Sequence, residues 1–465
     1  MRGLSEAFPL DEASIQSVLG RPMADDPARV ADILAKARDL KGLEDVDLPH
    51  LMAIQDPDLL HELFVTARWV KDQLYGNRIV LFAPLYVSNL CANECLYCAF
   101  RASNRDLPRR ALGRDEIAAE VGHLLGQGHK RVVLVAGEAY PKEGLDYILN
   151  AIRTVYAVRR GEECIRRVNV NIAPLDVPDF RRLKEVEIGT YQLFQETYHR
   201  ETYARMHTRG LKADYDWRLG CMDRAMLAGI DDVGIGALFG LYDWRFELLA
   251  IMQHARHLEA RFGCGPHTIS VPRIEPAEGS ATSEHPPHAV TDEDFRKLIA
   301  ILRLAVPYTG LILSTRERPE IRKEALRLGI SQISAGSRTN PGGYEDDSCG
   351  GGAQFSLGDH RTLDEVVCDL AQTGFIPSFC TSCYRMGRTG SDFMDMAKPG
   401  EIKNHCHPNA LSTMQEFVED HASPATRFAA ERLLAGSLEE MEPSARAQAE
   451  RMVARVKEGE RDVFC

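Results

Sequence analysis

Apolar positions along this chain change their rhythm near residue 79. Before it they recur at helical spacing, as in VADILAKARDL (30–40) and HELFVTARWVKDQL (61–74), which predicts charged amphipathic helices. After it, short β-branched or apolar runs alternate with longer amphipathic stretches. The runs are IVLFAPLYVS (79–88), RVVLVAG (131–137), VNVNIAP (168–174), TYQLFQET (190–197), DVGIGALFG (232–240), HTISVPRI (267–274), GLILST (310–315) and SQISAGS (331–337). Between them lie RDEIAAEVGHLLGQG, LDYILNAIRTVYAV and DEDFRKLIAILRLA, each with apolar residues on one helical face. Eight strands separated by helices predict a (β/α)8 TIM-type barrel over 79–340. A helical N-terminal extension (1–78) precedes it and a C-terminal domain (341–465) follows. An open doubly wound sheet shares the pattern, because periodicity does not report closure. GGYEDDSCGGGAQ (342–354) reads as a loop. Gly350, Gly351 and Gly352 there lack the strand-then-helix setting of a phosphate loop and read as flexible linker.

Charge narrows the partners. Lys plus Arg is 56 against 68 Asp plus Glu, a net charge of −12, which argues against a general phosphate-backbone binder and so against a nucleic-acid partner. No run approaches ~18 apolar residues, so no membrane span is expected. The start, MRGLSEAFPLDEASIQ, lacks the apolar segment of a secretory leader. The expected setting is the reducing cytoplasm, where clustered cysteines signal metal or redox chemistry rather than disulfides. Of the 12 cysteines, Cys164, Cys221, Cys264, Cys349, Cys368 and Cys465 lie singly and read as small hydrophobes or incidental thiols.

The other six form two groups. Cys91-Ala-Asn-Glu-Cys95-Leu-Tyr-Cys98 directly follows the first predicted strand. Three soft ligands in one loop hold three irons of a cubane and leave the fourth open to a small molecule; structural zinc would want a fourth ligand nearby. This loop, down to the aromatic Tyr97, resembles that of radical S-adenosylmethionine (SAM) enzymes. The resemblance implies a 4Fe–4S cluster that binds SAM and releases a 5′-deoxyadenosyl radical. Ala136-Gly137-Glu138 ends the next strand and resembles the Gly-Gly-Glu turn that holds the SAM ammonium, with Ala in place of the first Gly.

The second group is Cys380-Thr-Ser-Cys383, with Cys406 after 22 further residues. Beside the first loop, this spacing resembles the HydG family, the radical SAM tyrosine lyases of FeFe-hydrogenase maturation. Segments such as TYQLFQETYHRETY, CYRMGRTG and FMDMAKPG carry the likeness along nearly the whole chain. The thiamine-biosynthesis tyrosine lyase (2-iminoacetate synthase, ThiH) shares the barrel and the first loop but lacks the C-terminal group. A non-catalytic iron–sulfur carrier is the alternative from another class, and it would need no SAM-binding turn.

The HydG resemblance implies cleavage of the Cα–Cβ bond of L-tyrosine to p-cresol and dehydroglycine, then conversion of dehydroglycine to CO and cyanide on iron. It implies a C-terminal auxiliary 4Fe–4S cluster with an additional iron, held by Cys380, Cys383 and Cys406, and a lumen joining the two sites. It further implies an electron donor such as ferredoxin or flavodoxin and a hydrogenase-maturation scaffold protein. His267 opens the sixth strand, at the barrel mouth away from the SAM loop, and is the nominated ligand of the extra iron, with His257 as competitor. Asn169, Gln195 and Glu196 are candidates toward SAM, with Asn171 and Tyr198 beside them. Ser314, Thr315 and Arg316 end the seventh strand, and Arg316 offers a fork for the tyrosine carboxylate unless Glu317 or Glu320 claims it. HPPH (285–288) reads as a solvated Pro-rich loop.

Overall fold

A computed structural model describes residues 8–21, 26–345 and 351–465. Cys349 and Gly350 lie outside the described residues. Eight parallel strands close into a barrel: β1 (Arg78–Ser88), β2 (Arg131–Ala136), β3 (Arg167–Asn171), β4 (Tyr191–Gln192), β5 (Val233–Gly236), β6 (Thr268–Ser270), β7 (Gly310–Leu313) and β8 (Gln332–Ser334). Each pairs with the next, and β1 pairs with both β8 and β2. The closed barrel, rather than the open sheet, is thus the fold. β1, β2 and β7 read as apolar runs because helices cover their outer side, while β3, β6 and β8 carry polar residues as well.

Local sequence sets the boundaries of these helices. Asp56 caps the helix Pro57–Tyr75, accepting from the Asp58 and Leu59 amides, with proline at its first position. Thr362 and Glu365 form a capping box on the helix Leu363–Gln372.

One further strand, β9 (Ile376–Ser378), lies beyond the eight predicted runs and pairs in parallel with Arg78–Val80 at the start of β1. β1 has 11 residues: its first part pairs with β9 and its later part, Ala83–Ser88, with β2. β9 therefore delivers Cys380 to the N-terminal mouth of the barrel.

The described parts of the Gly-rich stretch, 342–345 and 351–354, are anchored. Tyr344 donates to the Pro84 carbonyl at 2.7 Å, and its amide meets Glu120 at 3.0 Å. The Gln354 Oε1 accepts from the Tyr86 hydroxyl at 2.7 Å, while Gly351 and Gly352 sit against Pro108. This segment folds back over the C-terminal mouth. Gly342 and Gly352 there have positive φ (77° and 86°), which glycine adopts without strain.

Candidate functional site

Strand alternation turns Phe82, Pro84 and Tyr86 of β1, Val133 and Val135 of β2, and Asn171 of β3 into the lumen. There, with Phe194, Ser270, Ile312 and Ser334, they line a cavity of about 200 Å³ at the C-terminal mouth. The Cys91–Cys98 loop leaves β1 at this end, where TIM-type barrels keep their reactive groups. Cys95 is buried and Cys91 and Cys98 are half-buried. Burial pushes the Cys91 and Cys95 thiols up, and the Cys98 thiol to about 11. Three neutral, clustered thiols give up their protons to a thiophilic metal, so the donor set fits an iron–sulfur cluster. The turn at Gly137 is equally specific. A Cβ there would lie 2.2 Å from the Leu90 carbonyl oxygen, and its amide donates to the Ser88 carbonyl at 2.8 Å.

Glu138 reaches the cavity but is already engaged. Asn93 donates to it at 2.7 Å and Arg218 at 3.0 Å; Lys212 binds Glu196 at 2.7 Å, with Arg218 3.5 Å from the same oxygen. Burial raises both carboxyls, but the Arg218 and Lys212 charges outweigh it, leaving both below the ordinary carboxylate range. Two anions and two cations thus form one buried, charge-balanced group. Glu196 also has φ = 70°, a strained conformation for a residue with a side chain and a mark of functional sites.

Arg316 is half-buried, lines the cavity and lies with its guanidinium carbon 3.2 Å from the Phe355 ring centre. Glu317 does not claim it; Arg273 takes that carboxylate. Among the described residues Arg316 has no ion-pair partner, so its charge faces the cavity. Ser314 and Thr315 line the same wall.

Some expectations need correcting. Gln195 alternates away from the lumen and does not line the cavity. Tyr198 enters the core, its hydroxyl 2.9 Å from Nδ1 of His254. Asn169 lies a layer below the cavity, accepting from Arg167 at 2.6 Å and the Thr190 amide at 3.0 Å; Asn171 occupies the place expected of it. Tyr97 lines the cavity, with its hydroxyl bonded to His207 at 2.8 Å. Lys212, Arg218, Gln354 and Phe355 went unnoticed, because no local pattern marks them and only the fold brings them in.

At the opposite mouth a smaller cavity, about 50 Å³, is lined by Cys380, Cys383, Cys406, His267, Tyr384 and Arg131 among others. A bond to Cys406 pulls the Cys383 thiol below its usual value, helped by Arg388 and Arg78. Burial holds His267 down to about 4, so its imidazole is neutral and ligand-ready near pH 7. Three thiols and a neutral imidazole fit an iron–sulfur cluster with a further metal. His257, by contrast, pairs with Asp223 at 2.8 Å away from this cavity.

Residues 85–252 match the family model of the radical SAM superfamily and residues 270–376 that of the Biotin and Thiamin Synthesis associated domain. The 2-iminoacetate synthase of Escherichia coli K12 is 36% identical over 332 residues, 70% of this chain and 85% of its own. A crystal structure of HydG, a maturase of the [FeFe]-hydrogenase, superposes with a TM-score of 0.94 at 47% identity, covering 98% of this chain and 99% of its own. HydG from Carboxydothermus hydrogenoformans gives 0.83 at 39% identity, covering 95% and 97%.

Proposed function

The chain belongs to the HydG family of radical SAM enzymes, and from that premise we propose that it cleaves the Cα–Cβ bond of L-tyrosine and converts the two-carbon remainder to CO and cyanide for hydrogenase maturation. The observation that carries this reading is the pairing, in one barrel, of a three-cysteine loop at one mouth with three cysteines and a histidine at the other. The similarity to HydG spans both groups, whereas that to 2-iminoacetate synthase covers 70% of the chain.

In this reading Cys91, Cys95 and Cys98 hold a 4Fe–4S cluster that, with SAM, supplies the adenosyl radical. The chain's own residues position and enclose. Arg316 clamps the tyrosine carboxylate through its fork, with Ser314 and Thr315 beside it. Phe82, Tyr86 and Phe355 give the phenol ring an apolar wall. The Glu138–Arg218–Glu196–Lys212 group presents fixed charges to the SAM amino-acid moiety, and Tyr97 and Gly137 shape its pocket. The segment through Gln354 covers the mouth and excludes water, which protects a radical from side reactions.

At the far end Cys380, Cys383 and Cys406 hold the auxiliary cluster and His267 its extra iron. The electron donor is a ferredoxin or flavodoxin, the recipient a maturation scaffold protein, and the setting the cytoplasm. Among the described residues no helix is long and apolar enough to cross a membrane.

Anaerobically reconstituted protein given tyrosine, SAM and a reductant should yield p-cresol, CO and cyanide together. p-Cresol with glyoxylate alone would point to the 2-iminoacetate synthase reaction, and no tyrosine cleavage to a carrier.

A further inference from the structure

Three carboxylates and three cations line the upper cavity among the described residues: Glu138, Glu196 and Glu275 against Lys212, Arg218 and Arg316. Four of the six are engaged with one another. Lys212 holds Glu196 at 2.7 Å, and Arg218 holds Glu138 at 3.0 Å. One anion and one cation remain, Glu275 and Arg316. Neither side chain has an ion-pair partner among the described residues.

Their chain neighbours show why. Glu317 adjoins Arg316, and Arg273 lies just before Glu275. These two neighbours pair with each other instead. Arg273 also takes Asp292 at 2.9 Å, and Arg318 reaches the same carboxylate at 3.1 Å. The nearby charges are thus neutralised without Glu275 or Arg316.

The backbone that carries Glu275 is fixed on both sides. The Ile274 amide donates to the Phe239 carbonyl at 3.0 Å, and the Pro276 carbonyl accepts from the Ser356 amide at 2.8 Å. Phe355, the residue before Ser356, stacks on the Arg316 guanidinium. The covering segment therefore ties together the loop after β6, with its unpaired anion, and the loop after β7, with its unpaired cation. Burial and the Glu317 charge lift the Glu275 carboxyl above its ordinary value, against the pull of Arg316. A half-buried anion without a partner is costly, and a cation placed beside it relieves that cost.

A free amino acid carries one charge of each sign, both on a single carbon. We propose that Glu275 binds the α-ammonium group of the substrate amino acid while Arg316 binds its carboxylate, so that the pair selects a zwitterion. This assignment rests on the reading of the upper site as a tyrosine lyase. It adds the group that tells an amino acid from a plain phenolic acid. An ammonium has up to three hydrogen bonds to donate, and one to a carboxylate is charge-assisted. Glu138 and Glu196 are not free for this role, since each would have to release a buried cation. Two fixed charges on one carbon also orient the Cα–Cβ bond within the cavity.

The test measures equilibrium binding to full-length, reconstituted protein with SAM and without reductant, by titration calorimetry. The ligands are tyrosine and desaminotyrosine, the same acid without its amino group. Wild-type protein should prefer tyrosine by about tenfold or more, the scale of one charge-assisted hydrogen bond. Glu275→Gln keeps the size and loses the charge, so tyrosine should weaken by about that factor. Desaminotyrosine should bind at least as well as before, and the preference should disappear. Glu275→Asp keeps the charge on a shorter arm and should retain part of it. In turnover, the Michaelis constant for tyrosine should rise in Glu275→Gln and that for SAM should not move.

An unchanged preference for tyrosine in Glu275→Gln overturns the proposal. Equal weakening of both ligands does the same, because Glu275 would then only shape the pocket. A raised Michaelis constant for SAM, with that for tyrosine unmoved, gives the carboxylate to SAM and also overturns it. Should Glu275→Gln fail to fold by circular dichroism, Glu275→Asp is read by the same rule: tyrosine alone must weaken. Wild-type protein that binds tyrosine and yields no p-cresol would instead remove the lyase reading and leave the ammonium site standing.

Discussion

Single residues decide what the upper site can hold. Arg316 is the clearest case, because its sequence neighbour Glu317 is bound elsewhere and its guanidinium faces the cavity over Phe355. Arg316→Lys keeps the charge and loses both the fork and the stacking plane, so the Michaelis constant for tyrosine should rise about tenfold or more. An unchanged constant would mean that another residue binds the carboxylate. Glu247 gives a second residue-scale prediction, this time on stability. Its carboxyl is buried and accepts from the Thr197 hydroxyl and, at 2.8 Å, from the Tyr198 amide. Burial lifts it from 4.5 to about 8, so the folded protein keeps a proton that the unfolded chain releases above pH 4.5. The sign follows: stability falls as pH rises from 4.5 to about 8, at up to roughly 1.4 kcal/mol per pH unit. Glu247→Gln retains both bonds, with its carbonyl toward the Tyr198 amide and its amide toward Thr197. Thermal melts across that window should show a flatter dependence than wild type.

Elements were legible in the sequence where periodicity governs and illegible where a few anchors do. All eight barrel runs form strands: those of β1, β2 and β7 are unbroken apolar runs, as burial on both sides favours, and that of β3 alternates apolar with polar residues. The 190–197 run forms a strand only at Tyr191–Gln192 and meets its neighbour again in a lone bridge at Glu196, where φ is positive. β9 escaped notice because three residues that include Pro377 carry no period, and its partner is merely the surplus length of β1. The loop through Gln354 shows no period for a similar reason: Tyr344, Gln354 and Phe355 anchor its described ends singly. The tight turn at Gly137, packed against Leu90, allows an element-scale prediction. Gly137→Ala drives a methyl into the backbone of Leu90, an overpacking cost of about 1–3 kcal/mol. Relief has to come from the adjoining Cys91 loop. The variant should fold, by circular dichroism, yet incorporate less iron at the SAM site and lose p-cresol in proportion. Full cluster loading in Gly137→Ala would show that the loop and the turn are not mechanically joined.

At the scale of the whole molecule, the length of β1 keeps the two chemistries apart. Its C-terminal end launches the Cys91–Cys98 loop, and its N-terminal end carries β9 and so Cys380. The two cysteine groups occupy opposite mouths of one lumen, with no described cysteine lining both cavities. A lesion at one end should therefore spare the other. Cys383→Ser removes a ligand from the lower group, which contributes no side chain to the upper cavity. Tyrosine should still be cleaved to p-cresol at close to the wild-type rate, while iron-bound CO, read by infrared spectroscopy, should disappear. Cyanide should persist in part, because the two-carbon fragment can decompose without a templating iron. His267→Ala should give the milder form: CO falls while the iron content of the cubane stays, since in the proposed assignment the histidine would hold only the additional metal. Cys95→Ala should instead abolish both products, because the lower site, though intact, then receives nothing to convert. If Cys383→Ser loses p-cresol and CO to the same extent, the lower group also serves the radical step or the barrel's integrity, and the division of labour between the two mouths fails.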